Sequence, residues 1–140
     1  MLIKAYQYLE DVPADKLLAV VKLFSRTALE VCEGQQYDTD FEKREDVTIE
    51  EYYEMIRLKT AVLLAGCLKL GAILGGASEN DAQNLYDFGI AIGIAFQLRD
   101  DYLYCYGDEK TFGKKIGGDI LCGKRTFLLI QTLKKCGVSQ

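Results

Sequence analysis

The chain contains no histidine, a single proline, and five cysteines with no Cys-x-x-Cys pair among them. Without histidine or paired thiols, the usual ligand sets of a zinc site are missing. The cysteines fall at positions 32, 67, 105, 122 and 136, and an odd count without framework spacing fits reduced thiols, so the expected location is cytoplasmic. Met1-Leu2-Ile3-Lys4 does not lead a basic segment into an apolar one, and no signal peptide is read there. Short alternating runs of Val, Ile and Thr are absent, which removes the usual mark of strands and leaves an all-α reading. Excess positive charge is also lacking: the net charge is -4, whereas a protein that tracks a phosphate backbone carries a basic face, so no nucleic-acid partner is expected. The longest apolar run, Ala61 to Ala77, is interrupted by Lys69 and several glycines and is too short for a membrane span.

What is present is enough for a core. With 140 residues and 49% hydrophobic content, residues 1–140 make one unit rather than two. Leu2 to Leu9 is helical in pattern with no capping residue ahead of it, as expected of a chain that opens inside a helix, hence a fragment. Pro13 suits the start of a second helix, whose apolar stripe (Leu17, Leu18, Val21, Phe24, Ala28, Val31) runs to Cys32. Gly34 to Asp38 follows, then a charged connector over 40–46. Thr48-Ile49-Glu50-Glu51 is a capping-box pattern that opens the next helix, which fades at Gly71 to Gly76. Ser78, with Asp81 three residues on, caps a long helix to about Tyr106, with Gly107 as its stop. Thr126 to Leu133 reads as the last helix.

Chemistry concentrates between Phe96 and Arg125. Asp100 and Asp101 end an otherwise apolar helical run, where unpaired charge is costly to bury, so they are expected to face a polar cavity or a cation. Gln97 and Asp101 lie four apart on one side of that helix. From Gly107 to Arg125 the chain carries five Lys/Arg against three Asp/Glu. Acid followed by base reads as a metal and phosphate station, because Mg²⁺ takes few protein carboxylates and fills its shell with phosphate oxygens and water. Lys59, on an apolar helix, stands out; taken alone, such a lysine more often snorkels to water.

Three blocks, in this order, resemble the second half of the trans-isoprenyl diphosphate synthases (the polyprenyl synthetase family). They are Gly34-Gln35 with Asp38; Lys59-Thr60-Ala61 with Leu70-Gly71-Ala72; and Phe96-Gln97-x-x-Asp100-Asp101. The third block is followed by Gly107-Asp108, Gly113-Lys114, Asp119 and Gly123-Lys124. The resemblance implies the C-terminal half of an isoprenoid synthase helical bundle. It implies a Mg²⁺-dependent condensation of isopentenyl diphosphate with an allylic diphosphate, in a family that is typically homodimeric. Carried over residue by residue, Asp100 and Asp119 would hold Mg²⁺ with Asp101 and Asp38 in support. Lys59, Lys114 and Lys124 would contact diphosphate, and Thr60 and Gln97 would line the site near the allylic cation. The motif's third aspartate falls at Tyr104, and the family's first aspartate-rich motif has no counterpart in this chain. The half-site is therefore expected to be inactive alone. A non-catalytic partner subunit and, more remotely, a class I terpene synthase are the competing readings.

Overall fold

The structure, a computed structural model, describes residues 2–108, 117–121 and 123–137. Their elements are helices: α1 (Leu2–Gln7), a 3-10 turn (Tyr8–Asp11), α2 (Ala14–Phe41), α3 (Ile49–Ile56), a π-turn (Arg57–Ala61), α4 (Val62–Gly75), α5 (Glu79–Tyr106), a short α6 (Gly118–Leu121) and α7 (Phe127–Lys135). Among the described residues there is no strand.

The boundaries follow from local chemistry. The Thr48 hydroxyl accepts from the Glu51 amide at 3.1 Å while the Glu51 carboxylate takes the Thr48 amide at 2.9 Å, closing the capping box. Ser78 and Thr126 cap α5 and α7 in the same way, each accepting the amide three residues on. At the end of α4, Gly76 adopts φ 78°. Its amide bonds to Ile73 and that of Ala77 to Ala72, a Schellman closure that a left-handed glycine permits.

Two features depart from the sequence reading. The second helix does not end near Cys32; α2 continues to Phe41, and Gln36 donates to Asp40 one turn on at 2.9 Å. Only 42–48 remains as connector, and even there Val47 is buried. The helix opened by Thr48 also contains a π-turn, where the Val62 amide reaches back to the Arg57 carbonyl. Through that turn α3 and α4 form one run, Ile49–Gly75, long and apolar enough by length and composition to cross a membrane. Here it is the central helix, with Leu58, Ala61, Val62 and Ala65 buried.

α2 and α5 run antiparallel to this central run on either side. Small residues bring the backbones close: a Cβ on Gly89 would lie 2.5 Å from the Ala65 Cα, and one on Gly93 2.5 Å from the Ala61 Cα. Beyond the π-turn the packing changes to large side chains. Phe41, Val47, Tyr52, Met55, Ile56 and Ile130 form a buried cluster. Phe127 meets the Tyr52 and Tyr53 rings, holding α7 against α3. This cluster is the floor beneath the polar residues described next.

Candidate active site

A cleft of about 200 Å³ opens where α2, α3, the π-turn and α5 meet the segment before α7. Asp38, Glu42, Lys59, Gln97, Asp100, Asp101, Tyr104, Lys124 and Arg125 line it, over Phe41, Tyr52, Met55 and Ile56. From α2, Asp38 receives the Lys59 ammonium at 2.5 Å. The next residue, Thr60, donates to the Gln97 carbonyl oxygen at 3.1 Å. Gln97 passes its amide hydrogen to Asp101 Oδ1 at 3.0 Å, and Tyr52 donates to Asp101 Oδ2 at 2.5 Å. Thr60, Gln97, Asp101 and Tyr52 thus form one relay across three elements, fixing each side chain in a single orientation.

The adjacent aspartates have different fates. Asp101 is only 6% exposed and both its oxygens are occupied. Burial, reinforced by the Asp101 hydrogen bond, pushes the Tyr52 phenol far above its ordinary range, so it remains a donor. Asp100 lines the cleft half-buried, and no hydrogen bond or ion pair among the described residues holds its carboxylate.

Outside the cleft lining, Arg44 bonds Asp46 and Glu51 at 2.8 Å each, which raises its pKa well above the ordinary arginine value. The Thr48 amide first, and Arg44 second, hold the Glu51 carboxyl below its usual value. Arg125 donates to the Arg44 carbonyl at 2.7 Å, tying the stretch before α7 to the connector after α2.

The structure therefore brings together Asp38, Lys59, Gln97, Asp100, Asp101 and Lys124 around one opening, with Thr60 bonded to Gln97 at its edge. Lys114 lies outside the described residues. Asp119 sits in α6, and its side chain is outside the description. Sequence reasoning missed Tyr52 and Glu42 as cleft residues and left Arg125 without a role. Its neighbour Lys124 was the available signal for Arg125; for Tyr52 there was none, since its partner is 49 residues away.

Among the described residues no group of three or more carboxylates or thiols is gathered tightly enough to hold a metal by itself. The donor set suits a hard cation that brings other ligands with it: Asp100 offers oxygen, and Lys59, Lys124 and Arg125 offer positive charge to an anion bound beside it.

Comparison with known proteins shows the family. The model of the family described as polyprenyl synthetase matches residues 1–140. The chain belongs to the polyprenyl synthetase family. It is 41% identical over 130 residues to a geranylgeranyl diphosphate synthase of Sulfolobus acidocaldarius, covering 93% of this chain and 39% of that protein. It is 48% identical over 109 residues to a short chain isoprenyl diphosphate synthase of Methanothermobacter thermautotrophicus, covering 78% and 34%. A crystal structure of geranylgeranyl pyrophosphate synthase superposes with TM-score 0.92 at 51% identity, over 97% of this chain and 42% of that one. The all-α fold is thus that of the family's helical bundle, and the chain spans about two fifths of the length of these polyprenyl synthetase relatives.

Proposed function

We propose that this chain supplies the diphosphate-binding half of a prenyltransferase site that joins isopentenyl diphosphate to an allylic diphosphate. The observation that carries the reading is the cleft itself: Asp100, whose carboxylate is held by no side chain among the described residues, faces the same opening as Lys59, Lys124 and Arg125. In the proposed reaction the allylic carbon–oxygen bond breaks, its electron pair leaves with pyrophosphate, the isopentenyl double bond attacks the allylic cation, and a proton is lost. Bound Mg²⁺, held by Asp100 and Asp119, would supply charge neutralisation on the departing pyrophosphate.

The chain's own residues account for the rest. Lys59, steadied by Asp38, presents an ammonium to the diphosphate, and Lys124 and Arg125 add charge from the other wall; Lys114 is proposed to join them. Fixed cations placed where negative charge develops stabilise the transition state without reorganising. Asp101 acts through Gln97: the relay holds the Gln97 carbonyl and Thr60 hydroxyl oxygens beside the position proposed for the allylic cation.

The chain's share of its relatives supports a further reading, that condensation needs partners to this half-site. In a radiolabelled assay with dimethylallyl or geranyl diphosphate, isopentenyl diphosphate and Mg²⁺, we expect no product from the chain by itself; detectable product would overturn that expectation. Tyr104, which lines the cleft where the family motif places a carboxylate, favours a second reading, a non-catalytic subunit that binds diphosphate weakly. We also propose that the chain self-associates, because the apolar hollow between α1, α2 and α4 leaves Leu29 and Leu63 more than half exposed. The unbridged thiols Cys32, Cys67 and Cys136 support a reducing, cytoplasmic location.

A further inference from the structure

Lys59 and Thr60, neighbours in sequence, serve opposite sides of the molecule: Lys59 pairs with α2 and Thr60 bonds to α5. Both belong to the π-turn, a conformation that is rare and tends to occur where function requires it. An extra residue in a helical turn disturbs the regular hydrogen-bond ladder, and the surroundings must hold it. The ion pair is one candidate for that task, but with Lys59 32% and Asp38 18% exposed the cost of desolvating the two charges offsets much of their attraction. The backbone contact at Gly34 is the other. A Cβ on Gly34 would lie 2.7 Å from the Leu58 carbonyl carbon and 2.7 Å from the Lys59 Cα, and nearer still to the Lys59 amide nitrogen. All three are main-chain atoms that cannot swing aside. Asp38 lies one helical turn further along α2, on the same face.

We propose that Gly34 is the positioning residue of this site: by letting the α2 backbone rest directly on the π-turn, it fixes the turn and thereby aims the Lys59 ammonium, while the Asp38 pair only steadies the side-chain tip. The cost of a glycine in mid-helix is then offset by the placement of Lys59. The value of that placement for diphosphate rests on the function proposed above, whereas the placement itself does not.

Gly89 provides the control, because a Cβ there would also meet main-chain atoms, 2.5 Å from the Ala65 Cα on α4, C-terminal to the π-turn. Three readouts separate positioning from bulk stability: the Lys59 side-chain amine resonance by NMR, amide hydrogen exchange over 57–62, and Mg²⁺-dependent pyrophosphate binding by calorimetry. Gly34→Ala is expected to shift the Lys59 resonance, speed exchange across the π-turn, and weaken pyrophosphate binding by about tenfold or more. Gly89→Ala is expected to lower the melting temperature comparably and leave all three unmoved. If the two variants move them equally, Gly34 is merely structural and the proposal fails. Asp38→Asn covers the case in which Gly34→Ala does not fold. It should leave exchange over 57–62 unchanged; faster exchange there would assign the turn to the ion pair and overturn the proposal. If the parent chain binds no pyrophosphate, the functional reading falls, while the resonance and exchange arms still decide the role of Gly34.

Discussion

The cleft at Asp100 and the hollow between α1, α2 and α4 share one wall, α2, but differ in what their walls present. The hollow, about 600 Å³, is lined by Tyr6, Phe24, Leu29, Val31, Leu63 and Leu70, and Leu29 and Leu63 stay more than half exposed. The cleft has a third of that volume, and most of its polar atoms are already committed to partners. Directional bonds fix a geometry, while exposed apolar surface only asks to be covered. The contrast underlies the proposals that selective chemistry belongs to the smaller space and association to the larger.

The sharpest way to break this contrast is to cut the relay at its buried centre. Asp101→Ala leaves the Tyr52 hydroxyl and the Gln97 amide without their acceptor, and should cost about 3 kcal/mol in urea unfolding. A loss below about 0.5 kcal/mol, the range of an ordinary surface change, would mean that the relay does not organise the cleft. Leu63→Glu should act only on the other hollow, shifting sedimentation toward monomer without altering pyrophosphate affinity. A smaller effect is expected from Tyr104→Asp, which adds a carboxylate one turn beyond Asp100 on the same helix face. It should tighten Mg²⁺-dependent pyrophosphate binding by a few-fold, read by calorimetry, from a parent affinity on the order of millimolar.

The smallest expected effect lies outside the cleft lining, at Glu51. The Glu51 carboxyl sits below its ordinary 4.5 because the Thr48 amide and Arg44 favour its charged form. Its contribution is full above about 4.5 and is lost as pH falls through the lower folded value. Between neutral pH and that window, thermal melting of the parent and of Glu51→Gln should differ by a constant offset, which should shrink on further acidification. An offset that stays unchanged below pH 4 would remove Glu51 from the account.

How much of this could be read from the sequence depended on the distance between partners. The caps at Thr48 and Ser78 join residues three apart, so pattern alone located the starts of α3 and α5. The continuation of α2 past Gly34 was illegible because that glycine answers to the Lys59 backbone, 25 residues on, and in isolation it reads as a weak point. The π-turn was hidden for the same reason, since its residues meet Gly34 and Asp38 of α2 and Gln97 of α5, all distant in sequence. Asp100 and Asp101 are chemically identical neighbours, and only the helix rotation that turns one toward Tyr52 and leaves the other at the opening distinguishes them. Spacing had paired Gln97 with Asp101, and the 3.0 Å bond agrees; the extension of that pair to Thr60 and Tyr52 required the fold.

The central claim is that Asp100 and the surrounding cations bind metal and diphosphate together. Calorimetric titration of pyrophosphate into the chain, with and without Mg²⁺ and with Asp100→Ala alongside, tests it most directly. Binding should be mutual, each ligand raising affinity for the other by the same factor. Mg²⁺ should strengthen pyrophosphate binding in the parent and have no effect in Asp100→Ala, where the metal-independent attraction to lysine and arginine persists. Equal pyrophosphate affinity with and without Mg²⁺ in the parent chain would contradict the account.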